Sequence, residues 1–206
     1  FLNAYRCLSE SETYNLPTKK KYKDFIKYIQ KQDKERQKVF WQEYLKGFNS
    51  QNRLEVTKKK HKSIRKDHQY RIQFSRDKLE GFAKENEVTL AALVYSLWGI
   101  VLQKNHNIDD IIFGATISGR AGTFNGIEEM VGLFINTVPL RVKKDSGETS
   151  IELIKKLNKT LQDWELYGTS SLVDIKKYSE LDTEIDLFDT IVVFENYPLD
   201  QKILTN

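Results

Sequence analysis

The chain has 206 residues, 39% of them apolar and 30% charged, with a net charge of +4. That is enough apolar material for one domain or for one large lobe of a two-lobed enzyme. The single cysteine, Cys7, excludes an internal disulfide framework and fits a reducing cytoplasm, and the longest apolar run, Leu90 to Leu102, is too short for the roughly 20 residues of a membrane-spanning helix.

Residues 9–21 are polar, contain Pro17 and read as a connecting loop. From Tyr22 to Phe48 apolar residues recur at 25, 26, 29, 40, 41, 44, 45 and 48, a helical spacing that Gly47 ends and in which Asp33 either breaks the stretch into two helices or sits on an exposed face. Lys58, Lys59, Lys60, Lys62, Arg65 and Lys66 form a basic run with no interleaved aromatics, so a solvated loop is favoured over a nucleic-acid surface. Tyr70 to Phe74 alternates like a strand with one buried face. Ser75 caps a helix to about Glu85 with Leu79, Phe82 and Ala83 inward, and Thr89 caps a buried apolar helix over 90–104. Ile111 to Ile117 is apolar nearly throughout, which predicts a central strand.

After that strand come Ser118, Gly119 and Arg120, a loop to Asn125, and a short helical turn at Ile127 to Met130. Val131 to Arg141 then reads as a second buried strand, with Asn136 and Thr137 in its middle and Pro139 beyond. A buried Asn brings several hydrogen-bonding demands into an apolar setting and needs partners or a ligand. Ser150 starts an amphipathic helix with Ile151, Ile154, Leu157, Leu161 and Trp164 inward. Ser170 and Ser171 cap a short helix from Leu172 to Tyr178, and Thr190 to Phe194 makes a last strand. The order predicts an α/β fold with a mixed β-sheet flanked by helices. The histidines His61, His68 and His106 are scattered and the carboxylates show no paired ligand spacing, so no metal site is expected. The glycines at 119, 122 and 126 match no phosphate-binding pattern.

One ordered set of segments carries more. A strand ending in Ser118-Gly119-Arg120, then Gly132-Leu-Phe-Ile-Asn-Thr-Val-Pro-Leu-Arg141, preceded by Tyr22-Lys-Asp24-Phe25 and followed by Glu195-Asn196-Tyr197-Pro198, closely resembles the condensation domains of nonribosomal peptide synthetases. Tyr167 to Leu172 departs from the family's His-Gln-type motif at that place. The family's His-His-x-x-x-Asp-Gly signature, whose second His is its proposed catalytic centre, is absent from these residues.

The resemblance implies one lobe of a chloramphenicol-acetyltransferase-like fold, with residues 1–206 as the C-terminal lobe and 1–21 as the segment arriving from an N-terminal lobe. No catalytic residue is then expected in this chain. Asn136, Ser118, Arg120, Thr137 and Phe134 are the implied substrate-binding residues, while Arg141 and the Tyr197-Pro198 pair are read as structural. No cofactor is expected to bind directly, since substrates arrive on the phosphopantetheine of carrier proteins. Expected partners are the N-terminal lobe, peptidyl carrier proteins and adjacent synthetase domains, with neither nucleic acid nor membrane. The N-terminus shows no signal-peptide pattern, so a cytoplasmic protein is expected. Alternatives are an epimerization domain, a stand-alone acyltransferase lobe, or a non-catalytic lobe that only docks carrier proteins; Phe134-Ile-Asn136-Thr137 argues against epimerization.

Overall fold

The computed structural model describes residues 2–10, 13, 20–49, 67–70, 73, 75–120, 124–182 and 184–195. The basic run at 58–66, most of the strand expected at 70–74, Gly122 and Asn196-Tyr197-Pro198 lie outside them. The chain forms two compact units, Phe1–Gln32 with Thr123–Phe134, and Asp33–Gly122 with Ile135–Asn206.

The smaller unit holds α1 (Leu2–Ser9), α2 (Tyr22–Gln30) and a single 3-10 turn at Ile127–Glu129. Helix α1 lies inside the stretch read as a connection, where no element was expected before Tyr22; Cys7 on it is partly buried. The unit's core is aromatic. Phe25, Ile127, Met130 and Phe134 are buried together, with Tyr22, Tyr28 and Phe124 packed against them. Phe134 sits 4.7 Å from Phe25 and meets Tyr22 edge-on at 5.2 Å, centroid to centroid, the offset geometry that aromatic quadrupoles favour. The Tyr22 hydroxyl donates to the Leu133 carbonyl at 2.5 Å.

The larger unit carries α3 (Lys34–Leu45), α4 (Arg76–Glu85), α5 (Leu90–His106), β1 (Asp110–Ile117), β2 (Asn136–Lys143), α6 (Ser150–Tyr167), α7 (Leu172–Tyr178) and β3 (Ile191–Val192). The sheet runs β2-β1-β3, antiparallel between β1 and β2 and parallel between β1 and β3. A strand with a neighbour on each edge and helices against the sheet needs apolar side chains on both faces. Ile111 to Ala115 are accordingly all buried. Trp41 and Leu45 of α3, Leu102 of α5, Ile111 and Phe113, Leu140 and Val142, Leu153 and Leu157, and Ile175 of α7 form one core.

The caps expected at Ser75, Thr89 and Ser171 form, and Asp33, read as a break or an exposed-face residue, caps α3. Each of these side chains accepts a backbone N–H from the first turn, satisfying donors the helix leaves open. Helix α6 is capped by Thr149, one residue before the expected start. Its side chain accepts from the Glu152 N–H, while the Glu152 carboxylate accepts from both the N–H and the hydroxyl of Thr149.

Three expectations change. The strand predicted from Val131 begins only at Asn136, and Val131 and Leu133 are 92% and 72% exposed. Those residues supply the apolar pattern of a buried strand but not its setting, because Phe134 alone of that stretch enters a core. Asn136 and Thr137 therefore open β2 rather than interrupt it. On α5, Val94, Leu97 and Val101 share an exposed stripe, so the helix is not buried all round as its composition implied. Phe82 of α4 is likewise exposed, while Ala83 faces the core and Leu79 is partly buried.

Candidate functional site

The open end of the β1–β2 ladder organises the candidate site. Ile117 pairs with Asn136 and Thr116 with Thr137, so the last residues of one strand face the first of the other. Beyond Ile117 the chain leaves the sheet through Ser118, which is exposed, and Gly119, whose φ of +62° lies in the left-handed region where a side chain is strained. The Arg120 backbone N–H donates to Ser118 Oγ at 3.3 Å, closing a tight turn on the hydroxyl.

Asn136 is fully engaged at its amide. Its Nδ2 donates to the carbonyls of Gly168 at 2.7 Å and Ser170 at 2.9 Å, and its Oδ1 accepts the Thr137 backbone N–H at 3.0 Å. A side chain expected to meet substrate thus serves backbone groups in the connection between α6 and α7. The same connection is held twice more. The Tyr167 ring stacks on Phe40 at 3.9 Å, and Gln37 Nε2 donates to Thr169 Oγ1 at 3.4 Å.

Between the turn after β1 and that connection lies a cavity of about 130 Å³. Ile117, Ser118 and Gly119 form one wall; Leu161, Trp164, Gly168 and Thr169 form the other. Gly168 is there for close approach, because a Cβ on it would stand 2.5 Å from Ile117 Cδ1 and 2.6 Å from the Trp164 carbonyl oxygen. None of the wall side chains ionises near neutral pH. The arrangement can position a group, and among the described residues its walls hold no side chain that would take up a proton near neutral pH.

Of the expected site residues, the ladder end brings Ser118, Asn136 and Thr137 together, and Arg120 follows on the same turn. Phe134 belongs to the aromatic core of the smaller unit. The sequence marked Tyr167 to Leu172 as the place of a departed family motif without giving Gly168 or Thr169 a role, and it showed Leu161 and Trp164 only as the inward face of a helix. The further signal for them was the glycine directly after that helix. Among the described residues, no group of three or more His, Cys, Asp or Glu side chains is placed to hold a metal ion, and no helix is long and apolar enough to cross a membrane.

Arg141 has the structural place expected of it. Its guanidinium makes a two-pronged contact with Asp110 at 2.8 and 2.6 Å and donates to the carbonyls of Tyr44 and Lys46 at the end of α3. The hydrogen bond to Asp110 raises the guanidinium further above its ordinary value. Desolvation pushes the Tyr44 hydroxyl above the usual phenol range and outweighs the opposite pull of the Arg141 backbone N–H that it accepts at 2.7 Å.

The whole of residues 1–206 matches the family model for the condensation domain. The chain belongs to the condensation-domain family. It is 36% identical over 198 residues to surfactin synthase subunit 3 of Bacillus subtilis (strain 168), covering 95% of this chain and 15% of that protein. Gramicidin S synthase 2 of Brevibacillus brevis is 34% identical over 210 residues, covering 99% of this chain and 5% of the relative. The chain therefore spans only a small part of the curated relatives it matches. Among solved structures, the first condensation domain of the CDA synthetase superposes with a TM-score of 0.70 at 14% identity, covering 94% of this chain and 43% of that one. The starter condensation domain of rhizomide synthetase gives 0.67, also at 14% identity, covering 92% and 43%. The mixed sheet flanked by helices is thus the chloramphenicol-acetyltransferase-like arrangement of condensation domains.

Proposed function

We propose that this chain is the C-terminal lobe of a condensation domain in a cytoplasmic nonribosomal peptide synthetase. The intact domain joins two thioesters held on the phosphopantetheine arms of carrier proteins. The acceptor's amine attacks the donor's thioester carbonyl, an amide bond forms, the carbon–sulfur bond breaks, and the donor's carrier thiol leaves. What is required is alignment of two tethered reactants and removal of one proton from the amine. This lobe contributes the alignment, with Ser118, Arg120 and Thr137 beside the substrate passage and Asn136 holding the wall behind them. The proton is handled by a histidine outside the 206 residues, since His61, His68 and His106 do not form the family's signature.

The observation that carries this reading is a family match running from the first residue to the last, with relatives that include the surfactin and gramicidin S synthases. The test is reconstitution. The chain alone is mixed with aminoacyl-loaded donor and acceptor carrier proteins, and in parallel the same chain is joined to the remaining lobe. Mass spectrometry of the acceptor carrier should find the dipeptidyl product only in the joined form. Product from the 206 residues alone, or none from the joined domain, refutes the assignment.

A further inference from the structure

We infer that the cavity beside Ser118 is a side-chain subsite for a small, uncharged aliphatic group on an aminoacyl thioester. This rests on the reading of the chain as a condensation-domain lobe and adds to it a substrate class.

The size sets the first bound. About 130 Å³, divided by the roughly 30 Å³ that one water takes up in the liquid, leaves room for about four groups of methyl or methylene size. That is the scale of an alanyl to leucyl side chain and too little for an indole. Chemistry sets the second bound. Ile117, Leu161 and Trp164 present apolar surface, and among the described residues the side-chain polar groups of the lining are the Trp164 indole N–H and the hydroxyls of Ser118 and Thr169. Among the described residues that line it none is charged, so a charged side chain would gain no ion pair from these walls and an uncharged one is favoured. The hydroxyls suit the polar edge of the thioester or its amine, with the alkyl group directed between the apolar walls.

The walls are also set before anything binds. Asn136 fixes the carbonyls of Gly168 and Ser170, Tyr167 is clamped on Phe40, and Trp164 is buried. Discrimination by a preformed apolar cavity comes from how well it is filled, at roughly tenfold or more per well-packed methylene.

The experiment is equilibrium binding by titration calorimetry to the full-length protein that carries this chain, with the N-acetylcysteamine thioesters of glycine, leucine and aspartate as probes. The leucyl probe should bind at least about tenfold tighter than the glycyl probe, with the aspartyl probe weakest. Thr169→Leu places a branched side chain in the cavity and should reduce the leucyl advantage to less than about twofold. Thr169→Val, which keeps the shape, should preserve it. Ser118→Leu fills the cavity from the opposite wall at an exposed position, at the cost of the hydroxyl that accepts the Arg120 N–H, and it decides the matter if the first variant is misfolded and this one is folded by circular dichroism. Equal binding of the three probes to the wild type, or a leucyl advantage that survives both filling variants, overturns the subsite. A parallel amide-formation assay separates the two readings. Condensation without leucyl preference removes the subsite and keeps the enzyme, and preference without any condensation does the reverse.

Discussion

Replacing Asn136 with alanine tests whether its amide serves the fold or the substrate. The change deletes two donations to carbonyls and one acceptance from a backbone N–H, at 2.7, 2.9 and 3.0 Å. A hydrogen bond of this kind contributes about 0.5–1.5 kcal/mol net, and the residue is partly exposed, so water replaces some of what is lost. A loss of about 2 kcal/mol follows, or about 1 M in the urea midpoint and about 4–8 °C in Tm for a chain of this length. Asn136→Asp should be worse near neutral pH, because one carboxylate oxygen then faces the Gly168 and Ser170 carbonyl oxygens where the amide presented a donor. The gap between the two variants should narrow in acid as the carboxylate gains a proton. Equilibrium urea unfolding followed by circular dichroism reads all of this. A midpoint unchanged in Asn136→Ala, together with impaired turnover, would refute the argument and return the amide to direct substrate contact.

Other outcomes follow from the same geometry. Gly168→Ala should destabilise by about 1–3 kcal/mol through overpacking, because the added Cβ meets the Trp164 carbonyl as well as Ile117, and trimming Ile117 to Val should recover only part of it in thermal melts. Arg141→Leu strips the half-buried Asp110 carboxylate and the carbonyls of Tyr44 and Lys46 of their donor and should cost about 3 kcal/mol, with Arg141→Lys a poor rescue because one ammonium cannot reproduce the fork; chemical denaturation measures both. Hydrogen bonds from Thr149 hold the Glu152 carboxyl below its ordinary value of 4.5. A lowered folded value stabilises above the unfolded one and is lost as pH falls through it, so the stability advantage of wild type over Glu152→Gln should be constant above about pH 4.5 and shrink below it in a pH series of melts.

Much of the architecture was legible because local chemistry and tertiary setting agree there. The caps at Ser75, Thr89 and Ser171 read correctly, since a side-chain oxygen before an apolar period has one obvious use. The continuous apolar stretch at 111–115 read as a central strand because only a position with both faces covered tolerates it. Where the reading failed, the missing information lay in what a surface faces. Val131 and Leu133 are apolar and exposed, and Val94, Leu97 and Val101 crown α5 without cover among the described residues; neither pattern differs in sequence from a buried one. The candidate site was half legible. Ser118 announced itself as a polar residue at the end of an apolar strand, and Asn136 as a polar residue read inside one. Gly168 and Thr169 did not, because their importance comes from sitting against Ile117 from a remote part of the chain.

The Arg141 fork has a practical bearing on domain engineering. One guanidinium ties Asp110 at the start of β1 to the chain leaving α3, so three segments distant in sequence share a single electrostatic knot. A chimera that imports β2 from another condensation domain while keeping its own α3 and β1 inherits a junction whose donor and acceptors come from different chains. Crossover points for recombination are best drawn so that residues 44–46, 110 and 141 travel as one block.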